Sequence, residues 1–202
     1  MTMDKKGRAI IISGPSGSGK GTTVKALLEA RENLRLSISA TTRLPRPGEE
    51  DGVNYFYITR EEFNNKIENG DMLEYAAYCD NLYGTPREYI EQCINNGEDI
   101  ILEIEVQGGS QVKAKMPDAI SIFLIPPDRK SLEKRLRGRG TEPEEVILDR
   151  LARSYEELEY ADKYDYVVIC GEMGKCVSDI LNIIDSEKLK SEYMQDYIKE
   201  NF

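Results

Sequence analysis

The sequence predicts an α/β fold in which helices cover both faces of a parallel sheet and a small α+β lobe is inserted. Three features predict it. Apolar, strand-like runs alternate with helix-like segments along most of the chain. A glycine-rich turn joins the first run to the first helix. Residues 37–89 break the alternation with short segments rich in aromatic and β-branched residues, which is typical of a separate lobe.

The first unit is a strand near residues 8–13, a glycine-rich turn and a helix near residues 20–30. Glycines let successive backbone N–H groups of such a turn curl around one anion. The helix that follows directs its unpaired N–H groups and the positive end of its dipole to the same point. Strand, turn and helix in this order predict a nucleoside triphosphate site at Gly14, Pro15, Ser16, Gly17, Ser18, Gly19, Lys20, Gly21 and Thr22.

One position departs from the usual pattern of this loop. A serine or threonine is expected directly after the lysine, and here that residue is Gly21. Two alternatives follow: Thr22 or Thr23 supplies a hydroxyl to magnesium, or the metal is held mostly by phosphate and water.

The inserted section begins after a second short strand at residues 34–39. Residues 40–53 contain several prolines and glycines and are predicted to be irregular. Arg43 and Arg46 lie on this stiffened loop and form a fork suited to a phosphate. Strands are predicted at residues 54–58 and 72–78, with a helix between them that a Thr59–Glu62 capping box begins. Thr85 is predicted to begin another helix, which ends near residue 97.

The remaining elements continue the alternation. A strand at residues 99–106 is followed by a predicted turn at Gly108 and Gly109. A strand at residues 119–125 precedes a basic helix at 130–137 that Asp128 caps. A helix restarts at Thr141 and runs to about residue 161, the last strand covers 165–169, and helical patterns extend from about 173 to the end.

Composition narrows the classes of function. The chain has 202 residues and a formal charge of −10, which argues against a nucleic-acid polymer as partner. It has no apolar run near the ~20 residues that span a bilayer and no signal segment in residues 1–8, so a cytoplasmic location is expected. Four cysteines without a Cys-x-x-Cys pair, and no histidine, predict reduced thiols and no zinc site.

From about Gly7 to Asp165 the chain resembles a guanylate kinase. The resemblance rests on motifs that occur in order and with family spacing. They are Ser39-Ala40-Thr41-Thr42-Arg43-x-x-Arg46-x-Gly48, Gly52-x-x-Tyr55, Leu73-Glu74-Tyr75-Ala76, Tyr83-Gly84-Thr85, Glu103-Ile104-Glu105-Val106-Gln107-Gly108 and Arg135-Leu136-Arg137-Gly138-Arg139-Gly140-Thr141-Glu142.

The resemblance implies a transferase of purine nucleotide metabolism that moves the γ-phosphoryl group of MgATP to GMP or dGMP. It implies that the GMP phosphate is held by Arg43, Arg46, Tyr55 and Tyr83. The guanine would be held by Ser39, Glu74, Thr85 and Glu105, with Glu103 close by. Lys20 and Arg43 would act in catalysis together with three lid arginines, Arg135, Arg139 and Arg150.

The resemblance also implies a division of the chain. Residues 1–36, 90–127 and 156–202 would form the P-loop core, 37–89 the GMP-binding lobe and 128–155 a helical lid. Which of Glu103 and Glu105 meets the base stays open, as does the donor base site, since Cys170-Gly171-Glu172 stands where the family often has Asn-Asp. The charged C-terminal segment 186–202 could dock on its own core or on a second copy, so a homo-oligomer is possible.

Three rival functions remain at this point. One is a catalytically inactive interaction module that binds phosphopeptides. Another is a kinase for a different nucleoside monophosphate, and the third is a P-loop regulatory ATPase. An assay of ADP release with several monophosphates would separate them.

Overall fold

The structure, a computed structural model, describes residues 6–138 and 143–202. Its strands are β1 (Ala9–Ser13), β2 (Leu34–Leu36), β3 (Ala40–Thr41), β4 (Phe56–Tyr57), β5 (Met72–Tyr78), β6 (Asn81–Pro86), β7 (Asp99–Glu103), β8 (Ile120–Ile125) and β9 (Tyr166–Ile169). Its helices are α1 (Lys20–Ala30), α2 (Arg60–Glu68), α3 (Arg87–Asn95), α4 (Val106–Lys115), α5 (Arg129–Arg137), α6 (Glu144–Leu158), α7 (Met173–Glu187) and α8 (Ser191–Asn201).

Five strands form a parallel sheet in the order β2-β7-β1-β8-β9. The central strand β1 is apolar at nearly every position because both of its faces are buried. Ile10 and Ile12 pack with α1 and α7 on one face. Ile11 packs with side chains of α3 and α4 on the other face. The predicted α/β fold with a parallel sheet covered on both sides is therefore confirmed.

A second sheet of four strands, ordered β4-β3-β6-β5, lies in the inserted section. Strand β6 was not predicted, and the expectation that Thr85 caps a helix is wrong. Thr85 pairs with Glu74 of β5 in an antiparallel register, and α3 begins two residues later. Residues 40–53 were predicted to be irregular throughout, but Ala40 and Thr41 form β3, because β6 supplies backbone partners for a sequence of weak propensity.

The predicted turn at Gly108 and Gly109 is also wrong, since both residues lie inside α4. These two glycines allow close packing of the helix and do not reverse the chain. A Cβ at Gly108 would lie 3.1 Å from Glu74 Oε2, and one at Gly109 would lie 2.6 Å from the Tyr164 hydroxyl. Only glycine lets this helix approach both groups so closely.

Two helix starts agree with the sequence patterns. The Thr59–Glu62 capping box is present at α2, with reciprocal hydrogen bonds between side chains and backbone. The Asp128 carboxylate accepts a hydrogen bond from the Ser131 N–H at the start of α5. Strand β2 is shorter than predicted and ends at Leu36.

The side chains of Cys170 and Cys176 lie next to each other, with their Cα atoms 5.3 Å apart, while Cys79 and Cys93 are free. That the thiols of the adjacent pair are reduced stays a prediction. The first turn of α7 returns beside the residue that follows β9, and sequence spacing gave no sign of that. Within the described ranges, no helix combines the length and apolar character that crossing a bilayer requires.

Candidate active site

The glycine-rich loop between β1 and α1 forms one wall of a cavity of about 420 Å³. The lining residues are Gly14, Pro15, Ser16, Gly17, Ser18, Gly19, Lys20, Gly21, Thr22, Glu103, Ile104, Glu105 and Glu157. Gly19, the residue before α1, has φ +100°, a left-handed conformation that favours glycine. The Lys20 ammonium contacts the carbonyl oxygens of Gly14 and Pro15 and so lies over the loop.

Three carboxylates, Glu103, Glu105 and Glu157, line this cavity together with the loop. Glu103 ends β7, the neighbour of β1, and its Oε1 lies 3.6 Å from where a Cβ of Gly21 would stand. Burial raises the pKa of Glu103, and the Lys20 ammonium lowers it in part. Burial also raises the pKa of Glu157, which the sequence analysis did not single out.

The two threonines that follow Gly21 point in different directions. Thr22 lines the cavity. Thr23 is fully buried, and its hydroxyl lies 3.5 Å from the Cys170 sulfur and 3.8 Å from the Met173 sulfur. Among the described residues, no group of three or more histidine, cysteine, aspartate or glutamate side chains is arranged to hold a metal by itself.

Three side chains of helix α6 contact Ser16 of the loop. The Arg150 guanidinium donates to the Ser16 hydroxyl at 2.6 Å. The Ser154 hydroxyl shares its one proton between the carbonyls of Ser16, at 3.1 Å, and Arg150, at 2.8 Å, and the Ser16 N–H donates to Glu157 at 3.2 Å. The spacing of four and three residues places these side chains on one face of the helix, a signal that the sequence contained and that went unused.

Arg135 of α5 lies behind the loop rather than over the cavity. It donates to the Ser18 carbonyl at 2.8 Å and to the Cys170 carbonyl at 2.5 Å. Together with Met173 and Thr22 it lines a second cavity of about 300 Å³. Arg139, the other arginine predicted on this segment, lies outside the described residues.

The residues predicted to hold the acceptor phosphate come together in the inserted lobe. The rings of Tyr55 and Tyr83 are edge to face, with centroids 6.0 Å apart. The Arg43 guanidinium lies 5.5 Å from the centre of the Tyr55 ring. Arg46 is exposed and contributes its backbone N–H to Glu49, a carboxylate that the sequence analysis did not identify.

Two of the residues predicted around the base, Glu74 and Thr85, are in direct contact. The Thr85 hydroxyl donates to Glu74 Oε1 at 2.7 Å, and Gly108 of α4 packs against the same carboxylate. Burial raises the pKa of Glu74 more than the Thr85 hydrogen bond and the Lys115 charge lower it. Ser39 precedes β3 and accepts the Phe56 N–H with its carbonyl at 2.9 Å.

Glu105 connects the two halves of the site. Its charge raises the pKa of Glu74 in the lobe and of Glu157 beside the loop. It follows β7 and is the residue directly before α4, at the carboxyl edge of the sheet. Ligands of open parallel sheets gather at this edge. The arrangement can therefore hold two phosphorylated groups, one at the loop and one in the lobe.

Comparison with known proteins assigns this arrangement to a family. The model of the family described as guanylate kinase matches residues 6–187. The guanylate kinase of Oceanobacillus iheyensis is 50% identical over 196 residues, which cover 97% of this chain and 95% of that protein. That of Caldanaerobacter subterraneus is 48% identical, over 98% of this chain and 97% of that protein. A crystal structure of the guanylate kinase from Anaplasma phagocytophilum superimposes with a TM-score of 0.70 at 30% identity, covering 94% of this chain and 90% of that one.

Proposed function

The chain belongs to the guanylate kinase family, whose activity is ATP-dependent phosphorylation of GMP, and we propose that it carries out this reaction between the loop cavity and the inserted lobe. One observation carries the assignment of substrate to this site. The half-buried Glu74 carboxylate, fixed by Thr85, lies where the lobe meets α4. Guanine offers an N1–H and an amino group side by side, and one carboxylate can accept both. Adenine lacks this pair and would leave the carboxylate unpaired, which is costly.

The donor binds at the glycine-rich loop. Backbone N–H groups and the start of α1 hold the phosphates of ATP, and Lys20 adds a full positive charge. Arg150 acts from α6, where its contact with Ser16 keeps it at the edge of the cavity. Arg135 acts from behind the loop, and its position beside Met173 favours a role at the donor base end of ATP. We keep Arg139 as a third lid arginine on the strength of the family motif.

The acceptor binds in the lobe. Arg43, Arg46, Tyr55 and Tyr83 hold the phosphate of GMP, since guanidinium groups and phenols both donate to phosphate oxygens. Ser39, Glu74, Thr85 and Glu105 surround the guanine. We assign Glu105 to the base because it lies between the loop cavity, which it lines, and Glu74, on which its charge acts, whereas Glu103 faces Gly21. None of these proposed contacts involves the ribose 2′-hydroxyl of GMP, so we expect the enzyme to accept dGMP as well.

The chemistry is an in-line transfer. An anionic oxygen of the GMP phosphate attacks the γ-phosphorus of ATP, and the bond from that phosphorus to the β–γ bridging oxygen breaks. ADP leaves with the electron pair, and GDP forms. The transition state is loose and negatively charged, so positioning and charge neutralisation dominate. No general base is needed, because the attacking oxygen is already ionised at neutral pH, in agreement with a chain that has no histidine.

The residues at the loop fit a magnesium ion that arrives with ATP. Glu103 and Thr22 offer oxygen atoms beside Gly21, whereas Thr23 is buried against sulfur. Magnesium characteristically keeps water and phosphate oxygens and takes few protein ligands. When bound, it neutralises charge on the β- and γ-phosphates. Glu103 and Thr22 would hold it, directly or through water.

Both substrates are small cytoplasmic metabolites, and we expect the enzyme to work in the cytoplasm without a nucleic-acid or membrane partner. Its oligomeric state stays a prediction.

The test is a coupled assay of ADP release with ATP and each common nucleoside monophosphate. We expect release that depends on GMP or dGMP and is at least ~100-fold weaker with AMP. Equal rates with AMP would contradict the role given to Glu74. ADP release that ignores GMP would instead indicate a regulatory ATPase.

A further inference from the structure

The centre of the acceptor phosphate cluster is a carboxylate that has no role in the reaction described above. Glu49 accepts from both terminal nitrogens of Arg43, at 2.9 and 3.0 Å. It also accepts from the Arg46 N–H at 2.7 Å and from the Tyr57 hydroxyl at 2.8 Å. The Glu49 N–H returns a hydrogen bond to the Arg46 carbonyl at 3.0 Å, which closes a tight turn. A negative group thus sits among residues that are to receive a phosphate.

The hydrogen bonds of Arg43 show what this carboxylate does to the guanidinium. A guanidinium has five N–H donors. Glu49 takes two of them and the Leu44 carbonyl takes a third, at 2.7 Å. The other two donors are the Nε–H and one N–H of Nη2, which lie side by side on the Nε side of the group, and Tyr83 interacts with the guanidinium as well. These two donors form a parallel pair, which is the geometry that binds a phosphate with two hydrogen bonds.

The contact is more than a surface ion pair. The side chains of Arg43 and Glu49 are only 15% and 21% exposed. The Arg43 hydrogen bond is the largest influence on the carboxylate, followed by the Arg46 N–H, and together they lower the pKa of Glu49 to about 2. Glu49 is therefore ionised at every pH at which the enzyme would be assayed. Tyr83, on the neighbouring strand β6, also interacts with Arg43, so the guanidinium is held from two sides.

We propose that Glu49 is a positioning residue for the GMP phosphate: it fixes the Arg43 guanidinium and the Arg46 turn so that their remaining donors face the acceptor. The inference rests on the proposed function and adds one residue to it. A carboxylate near a dianionic phosphate is electrostatically unfavourable, so its net effect is favourable only if the ordering of Arg43 outweighs the repulsion. The opposite possibility is a carboxylate that stands in for the phosphate and must be displaced by GMP. Removing the Glu49 carboxylate should raise the KM for GMP if Glu49 positions Arg43, and should lower it if GMP has to displace Glu49.

The test compares Glu49→Gln and Glu49→Ala with wild type and with Glu50→Gln as matched control. Glu50 is the exposed neighbour on the same loop, and its substitution makes the same change in charge. For both Glu49 variants we expect the KM for GMP to rise about 10- to 100-fold, as for loss of a charged hydrogen-bonding group. The KM for ATP and kcat should stay within about 3-fold, and Glu50→Gln should resemble wild type. A KM for GMP that is unchanged or lower in the Glu49 variants overturns the proposal.

A binding measurement separates positioning from a general structural effect. We would titrate each variant by calorimetry with GMP and with guanosine, which lacks the phosphate. Compared with wild type, the Glu49 variants should bind GMP more weakly and guanosine equally well. Equal losses for both ligands would mean that Glu49 merely stabilises the lobe, and would overturn the proposal. Tyr57→Phe removes one hydrogen bond to Glu49 and keeps the ring that lies 5.8 Å from the Arg43 guanidinium, and should raise the KM for GMP about 2- to 5-fold. If wild type showed no GMP-dependent ADP release, the proposed function would fail, while the GMP and guanosine titrations would still decide the role of Glu49.

Discussion

Gly108 packs against Glu74 so closely that a Cβ at this position would lie 3.1 Å from the carboxylate Oε2. The contact joins α4 of the main domain to β5 of the inserted sheet. On its other oxygen, Glu74 accepts the Thr85 hydroxyl at 2.7 Å. The carboxylate is therefore held on both oxygens: Oε1 accepts a hydrogen bond from Thr85, and Oε2 packs closely against Gly108, which has no side chain.

Replacing Gly108 with alanine tests this contact. The added methyl group would push the carboxylate out of position, so we expect the KM for GMP to rise about 10-fold with little change in the KM for ATP. Alanine is the better helix former by about 1 kcal/mol, so thermal unfolding should not reveal a loss of stability. Gly174→Ala in α7 is the matched control, because a Cβ there meets no atom within 4 Å among the described residues. An unchanged KM for GMP in Gly108→Ala would contradict the role of this glycine.

The raised pKa of Glu74 predicts a pH dependence of base binding. Ionised Glu74 accepts the guanine donors, and as the pH falls through its raised pKa it becomes protonated and loses this ability. As the pH is lowered, guanosine affinity should therefore begin to fall at a higher pH than it would if the base ligand were a glutamate with an ordinary pKa. Guanosine is the suitable ligand, because the GMP phosphate also titrates near pH 6.

Glu74→Gln supplies the control for that measurement. It should bind guanosine at least ~100-fold more weakly and without this pH dependence. The free energy of unfolding should change with pH in the direction opposite to guanosine affinity. The folded state binds the Glu74 proton more tightly than the unfolded state, so the ionised group destabilises the fold at neutral pH. Wild type should therefore gain stability relative to Glu74→Gln as the pH falls through this pKa. If wild type and Glu74→Gln showed the same dependence of guanosine affinity on pH, the Glu74 carboxylate would not be the ligand of the base.

Lys20 is expected to act on the transferring phosphates. Lys20→Ala removes a full charge that opposes the negative transition state, and we expect kcat to fall about 100-fold or more. Circular dichroism should show an unchanged fold. Lys25→Ala, an exposed position on the same helix α1, should keep wild-type kcat. Similar losses in the two variants would point to net charge rather than to a specific contact.

We expect the contact of α6 with the loop to contribute to the free energy of unfolding. Ser154 is fully buried, and its hydroxyl lies 3.1 Å from the Ser16 carbonyl and 2.8 Å from the Arg150 carbonyl. Ser154→Ala leaves the Ser16 carbonyl without this partner, so chemical denaturation should show a loss of about 1–2 kcal/mol. The buried Ser18 hydroxyl has no hydrogen-bond partner among the described residues, so Ser18→Ala removes no hydrogen bond and should not lower stability. Equal losses would show that the Ser16 contact contributes nothing specific.

The sequence alone determined the family, the parallel core and most of the residue types in the site. Local patterns sufficed there, because a buried strand, a capped helix and a phosphate-binding loop each have a signature within about ten residues. The alternation that predicted the core is confirmed by the sheet order β2-β7-β1-β8-β9. The predicted division into core, lobe and lid stays a prediction, as do the catalytic roles.

Other features depended on contacts between distant residues. Gly108 resembled a turn residue and Thr85 a helix cap, yet both were placed by packing and strand pairing around Glu74. Glu157 reaches the loop from 141 residues away, and Cys176 lies beside Cys170 because α7 returns next to β9. Glu49 lies six residues from Arg43, but only the folded turn shows that its carboxylate faces both guanidinium nitrogens. Sequence patterns record which chemical groups are available, whereas hydrogen bonds and close contacts between separate segments exist only once the chain has folded.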